Sequence, residues 1–280
     1  VKVDFSGLRS VSNEAFYPLF WDQHRYMNLV GGAGSGKSNF ASDKVVYRCV
    51  CERGHRIVVF RKVARTLRES CFAQIKNTIS RWGLSKLFEV NKSDMTVTCA
   101  NGSQMIFVGL DDVEKLKSVF NPTSVWIEEA TELMPGDLDQ IDLRLRGESQ
   151  NYKQVMLTYN PISHLHWLKK RFIDAPQFGR TKTVKTTWRD NRFLDDEYIR
   201  TLQLMQERNP AMWRVYGEGE WGVQEGLIYA PFILDGDWPT SFDWEVYGLD
   251  FGYNDPTALL HIGFKDQHAY LTEKIYEPGL

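Results

Sequence analysis

Short apolar blocks bounded by glycine, proline or charge punctuate the first half of the chain: Tyr26–Val30, Ile57–Phe60, Ser124–Ile127 and Gln154–Thr158. Continuous rather than alternating hydrophobicity over four or five residues predicts strands buried on both faces, as in a parallel sheet. Between them, Asn39–Val50 and Leu67–Trp82 carry apolar residues at helical spacing, so strands and helices alternate and an α/β core is expected. Met95–Cys99 and Gln104–Val108 flank Asn101-Gly102, which predicts a hairpin and hence an antiparallel pair beside the parallel strands. Residues 191 to 215 read as helical, and Gly217-Glu218-Gly219-Glu220-Trp221-Gly222 reads as a linker. From Trp244 the pattern changes to three consecutive strands, within Val246–Gly252, Thr257–Phe264 and His268–Tyr276. The expected organisation is a domain over 1–215, a linker over 216–243, and over 244–280 the beginning of a second domain; so few residues cannot form an independent core, so the sequence looks truncated or its last strands pack on the first domain.

Composition narrows the class. With 42% hydrophobic and 13% aromatic residues the chain can bury a sizeable core. No run of about 18 uncharged apolar residues and no basic-then-apolar N-terminal segment is present, so a soluble cytoplasmic protein without membrane contact is expected. A net charge of −2 gives the whole chain no footprint for a polyanion, and nucleic-acid contact would have to be local. Two basic stretches offer it: Arg61, Lys62, Arg65 and Arg68, and Lys169–Arg171 continuing to Arg180, Lys182, Lys185 and Arg189. Cys49, Cys51, Cys71 and Cys99 form no CxxC pair and read as reduced thiols, while His164 and His166 lack a third ligand for a metal.

The chemistry concentrates at the ends of the predicted strands. Gly31-Gly32-Ala33-Gly34-Ser35-Gly36-Lys37-Ser38 is a full Walker A match that follows the Tyr26–Val30 strand and opens a helix at Asn39. Its backbone N–H groups would cradle the phosphates of a nucleoside triphosphate, Lys37 would reach the β/γ oxygens and Ser38 would ligate Mg²⁺. Val125-Trp126-Ile127 carries Glu128-Glu129 to a strand end, where Glu128 would face the metal and Glu129 the attacking water. Thr158-Tyr159-Asn160-Pro161 closes the next strand, placing a hydroxyl and an amide where they would sense the terminal phosphate.

In order, the Gly31–Ser38 loop, Gly109–Ser118, Glu128-Glu129-Ala130 and Thr158–Pro161 resemble the large terminase subunit of tailed bacteriophages. Gly217–Trp221 with Glu225–Tyr229 resembles that family's joining segment, and Gly248–Gly252 resembles the first strand of its nuclease. The resemblance implies a P-loop ATPase of the ASCE type with a mainly parallel central sheet, followed by the first strands of an RNase H-like domain. It implies a motor that packages double-stranded DNA through a portal, with a small terminase subunit, as a homo-oligomeric ring, a pentamer, in the host cytoplasm. It makes Lys37 and Ser38 phosphate and Mg²⁺ ligands, Glu129 the catalytic base, and Thr158 to Asn160 the coupling motif; Gln23 and Tyr26 stand where adenine contacts are usual. Asp250 becomes the first ligand of a two-metal nuclease whose partners would lie beyond Leu280, so this segment is not expected to cut DNA. The arginine finger stays open among Arg61, Arg65, Arg68, Arg144 and Arg146, with Lys115 and Lys117 ahead of the acid pair. The competing function is a P-loop phosphotransferase acting on a small molecule.

Overall fold

The structure, a computed structural model, describes residues 3–109, 121–146, 148–222, 239–252, 256–266 and 268–277. Most of the Gly109–Ser118 motif, the Glu225–Tyr229 segment and Asp255, with Lys115 and Lys117, lie outside the described residues. The chain divides into two compact units, Val1–Glu225 and Gly226–Leu280.

The first unit is built on an eight-stranded sheet. Its strands are β1 (Tyr26–Gly31), β2 (Arg56–Arg61), β3 (Phe88–Asn91), β4 (Thr96–Cys99), β5 (Gln104–Gly109), β6 (Ser124–Glu128), β7 (Val155–Tyr159) and β8 (Thr181–Thr186). They run in the order β3-β4-β5-β2-β6-β7-β1-β8, and every neighbouring pair is parallel except β3/β4 and β4/β5. The predicted hairpin is present as the antiparallel β4/β5 pair. β7 lies between β1, which ends in the Gly31–Ser38 loop, and β6, which ends in Glu128. Inserting one strand between these two is the ASCE arrangement, so the α/β, mainly parallel expectation holds.

Side-chain alternation divides the core into two layers. Met27, Leu29, Ile57, Val59, Trp126 and Met156 face one side with the helices α1 (Lys37–Cys51) and α2 (Ala73–Arg81). Val30, Val58, Phe60, Val125, Ile127, Leu157 and Tyr159 face the other, with α3 (Pro135–Arg144). Helix α1 buries Phe40, Ala41, Val45, Val46 and Cys49, which fixes its N-terminus against the strand ends.

Two boundaries differ from expectation. The helical stretch is shorter, with α4 confined to Asp196–Arg208 before further turns over 210–217. Residues 216–222, expected to open a linker, instead pack on the first unit: Ala33 N–H donates to Tyr216 O at 2.7 Å, and Gly222 N–H to Pro161 O at 2.9 Å. Glycines that suggested flexibility serve close approach; Gly219 has φ +61°, and a Cβ there would stand 2.9 Å from Gly32 N.

The second unit contains β9 (Trp244–Asp250), β10 (Thr257–Lys265) and β11 (His268–Glu277) in an antiparallel sheet of order β11-β10-β9. Trp244 and Phe264 stack across the β9/β10 pair at 3.9 Å, and His261 Nε2 lies 2.6 Å from Glu245 Oε2. Asp250 is exposed at the end of β9, opposite Ala258.

Candidate nucleotide site

The C-terminal edge of the parallel strands gathers most of the residues singled out in sequence. At φ +84°, Gly36 turns the loop into α1, and Lys37 and Ser38 form the first turn of that helix. In β6, Glu128 follows Trp126 by two residues, and in β7, Thr158 follows Met156 likewise. Both therefore face the α1 side, adjacent in register. The Ser38 hydroxyl donates to Glu128 Oε1 at 2.8 Å, and the Thr158 hydroxyl donates to Glu128 Oε2. Lys37 Nζ donates to Asn160 Oδ1 at 2.7 Å and to Gly32 O at 3.1 Å. One buried lysine thus bridges the phosphate loop and the tip of β7.

Glu129 reaches this cluster by a backbone device. Strict alternation would turn it to the face opposite Glu128, but its φ of +53° is left-handed, an uncommon conformation for a side chain of this size. Holding a non-glycine residue there costs on the order of 1–3 kcal/mol, and such strain gathers where a side chain must be aimed. Burial and the neighbouring Glu128 push the Glu129 carboxyl above its usual range, against the opposing pull of Lys37 and Arg61. Burial lowers Lys37 in turn, while Glu129 and Glu128 hold it up.

A cleft beside the loop is lined by Asn13, Phe16, Gly36, Asn39, Asn191 and Phe193. Asn13 Nδ2 donates to Asn191 Oδ1 at 3.1 Å, and Asn191 Nδ2 to Gly34 O at 2.7 Å, so the two amides are tied to the loop. Neither drew notice in sequence, since isolated asparagines carry no pattern. Tyr26, one of the two expected base contacts, is not brought to the loop. It is buried at the far end of β1, its hydroxyl donates to Asp142 Oδ2 at 2.9 Å, and its ring packs on Phe172. Gln23 precedes it on that same end, before the strand begins.

Serine and glutamate oxygens suit a hard cation such as Mg²⁺, and Ser38 and Glu128 are the pair that would hold it here. Among the described residues no cluster of three or more His, Cys, Asp or Glu side chains is present, and Asp250 stands apart from any such group. The four cysteines are free thiols; Cys49, Cys71 and Cys99 are buried and Cys51 is exposed.

Comparison with known proteins supplies the family. A family model described as phage terminase large subunit matches residues 23–220. The chain belongs to the phage terminase large subunit family. The PBSX phage terminase large subunit of Bacillus subtilis (strain 168) is 29% identical over 281 residues, covering 91% of this chain and 64% of that protein. The terminase large subunit of Bacillus phage SPP1 is 27% identical over 292 residues, covering 95% and 69%. The chain therefore spans about two thirds of the length of these terminase relatives. In fold it is similar to the large terminase of a thermophilic bacteriophage crystallised with ADP, with a TM-score of 0.65 at 16% identity over 94% of this chain and 69% of that one. The same thermophilic-phage terminase has also been crystallised with ATP-gamma-S.

Proposed function

We propose that this chain hydrolyses ATP to drive double-stranded DNA into a phage procapsid, as the ATPase part of a terminase large subunit. The observation that carries the reading is the convergence of Lys37, Ser38, Glu128, Glu129 and Asn160 at one sheet edge, from three separate strand ends. Nucleotide complexes of the thermophilic-phage terminase support the ligand class. The N–H groups of Gly34 to Ser38 would cradle the phosphates, and the Asn13–Asn191 cleft beside Gly36 would take the nucleoside end. Mg²⁺, held by Ser38 and Glu128, would supply charge neutralisation at the β and γ oxygens.

The chain's own residues then do the rest. Glu129 is aimed by its strained backbone to orient the attacking water and take its proton, and a carboxyl raised by burial is a better base than an exposed one. Incoming phosphates compete with Asn160 for the Lys37 ammonium. Loss of the γ-phosphate returns Lys37 to Asn160, so the tip of β7 senses the nucleotide state. The 216–222 segment touches both the loop and the residues after β7, so it would feel that change.

As part of this reading, residues 244–280 begin an RNase H-like nuclease domain, with Asp250 as one of its metal ligands. Portal protein, a small terminase subunit and a ring of copies are the partners proposed with it, in the cytoplasm of the host bacterium.

Steady-state ATP hydrolysis by the wild type and Glu129→Gln, with and without long double-stranded DNA at low and physiological salt, tests the proposal. Turnover stimulated by DNA and reduced roughly 10²- to 10⁴-fold in Glu129→Gln, with ATP binding kept, is the expected result. Undiminished turnover in Glu129→Gln would remove Glu129 as base, and turnover indifferent to DNA at both salts would remove the DNA motor.

A further inference from the structure

The edge just described holds two carboxylates, Glu128 and Glu129, against the Lys37 ammonium. A terminal phosphate brought beside them adds further negative charge, and phosphoryl transfer requires cations aimed at that charge as it develops. A further cation stands at the same edge. Arg61 ends β2, whose Phe60 is in register with Ile127 of β6, so the next residue on each strand is Arg61 and Glu128. Alternation along β2 puts Val59 on the α1 side and Phe60 on the other, which turns Arg61 to the face that carries Glu128 and Thr158. Its Nε is buried and has no hydrogen-bond partner in the structure. A buried guanidinium N–H without a partner costs on the order of 1–3 kcal/mol, and an acceptor arriving with the substrate would recover it.

The other arginines at issue are disposed differently. Arg65 is exposed; Arg68 is exposed and donates to Lys92 O at 3.0 Å. Arg144 ends α3 beside Asp142, the residue that pairs with Arg25 ahead of β1, at the opposite edge of the sheet, and Arg146 follows it. Neither stands at the strand ends that hold the phosphate loop.

We propose that Arg61 is a cation acting within the same chain that binds the terminal phosphate of ATP, so that each copy distinguishes ATP from ADP without help from a neighbour. The proposal rests on the nucleotide-site reading above. A planar fork with a free buried donor suits a phosphate oxygen better than a lysine would. With β6 and β7 standing between β2 and the strand that leads into the loop, Arg61 is placed for the terminal phosphate rather than for the α- and β-phosphates that the loop cradles.

The test is calorimetric titration of ADP and ATP-gamma-S, each with Mg²⁺, into the wild-type chain and into Arg61→Ala and Arg61→Lys, with unliganded melting curves for each. In Arg61→Ala, affinity for ATP-gamma-S should fall about tenfold or more while affinity for ADP stays within about twofold, and Arg61→Lys should retain part of the preference. Equal losses for both nucleotides would mean that Arg61 only supports the fold, and an unchanged preference would place it outside the site; either overturns the proposal. A wild type that binds neither nucleotide would overturn the site reading as well. Should Arg61→Ala not fold, Arg61→Gln, which keeps length and removes charge, carries the same comparison.

Discussion

The two ends of the same parallel strands carry two buried polar clusters of opposite character. At the far edge, Arg48 of α1 is fully buried. It donates to Ser124 Oγ at 2.9 Å, to Tyr152 O at 2.7 Å and to Glu52 Oε2 at 2.9 Å, with its guanidinium 3.8 Å from the Tyr152 ring centroid. His55 is held between Glu52 and Thr123, and Gln154 Nε2 donates to His24 O at 2.8 Å. Burial pushes Glu52 upward, but hydrogen bonds from His55 and Arg48 outweigh it and hold the carboxyl below its usual value. At the nucleotide edge Glu128 and Glu129 stand close together, Glu129 sits in strained backbone and its carboxyl is raised. Around Arg48 and Glu52 the far cluster pairs charge with charge and fixes where α1 ends and β6 begins; the near one crowds two acids together beside strained backbone. Helix α1 joins them, so its position at the phosphate loop is set partly by an anchor at its other end.

The contrast breaks most visibly at Lys37. Lys37→Ala should lower ATP turnover by roughly three orders of magnitude or more, since it removes the phosphate contact together with the link to Asn160. Its folding free energy should change less than that of Arg48→Ala, because a buried lysine whose pKa burial has lowered adds little to stability. Arg48→Ala should show the reverse: a loss of about 3–5 kcal/mol in urea unfolding, as Ser124 and the Tyr152 carbonyl lose their donor and Glu52 keeps only His55. ADP affinity should stay near wild type in whatever fraction remains folded. A large drop in ADP affinity of the folded Arg48→Ala protein would show that the two edges are not separable. A smaller effect is expected at Thr158, whose hydroxyl accepts from Trp126 Nε1 at 2.9 Å and donates to Glu128. Thr158→Val should cost about 1–3 kcal/mol by leaving a buried indole N–H unpaired, which chemical denaturation would read directly.

The near edge was legible in sequence and the far one was not, for a physical reason. Phosphate binding needs consecutive backbone N–H groups and a lysine at fixed spacing, and metal-assisted hydrolysis needs acids at a strand end. Those demands are local, so Gly31–Ser38 and Glu128-Glu129 show in the order of residues. Arg48 and Glu52 stand four residues apart, as ion pairs on any helix do, and Ser124 and Tyr152 join them only when α1, β6 and the start of β7 are assembled. The same holds for Asn13 and Asn191, far apart in the chain. Tyr26 misled because nearness to the loop in sequence is distance along β1 in space. Residues 216–222 misled because glycines that permit tight packing are indistinguishable from glycines that permit freedom.

The smallest effect concerns a lysine of the far edge, Lys44, whose Nζ donates to Leu19 O at 2.6 Å and Asp22 O at 2.7 Å. Burial lowers its pKa from 10.5 to about 7, helped by the neighbouring Arg48 and opposed by Asp22 and Glu52. Between those two values the unfolded chain holds a proton that the folded chain has released, so folding becomes more favourable as pH rises. The cost of burying the charge is present in full below about pH 7 and disappears towards pH 10.5. Lys44→Met removes that titration. Unfolding free energies of the two proteins at pH 7, 8 and 9 should therefore converge or cross in favour of the wild type, by up to about 1.4 kcal/mol per pH unit. Parallel curves would mean that two carbonyl acceptors and the nearby acids keep Lys44 charged after all, and that the far edge, too, tolerates a buried charge without yielding its proton.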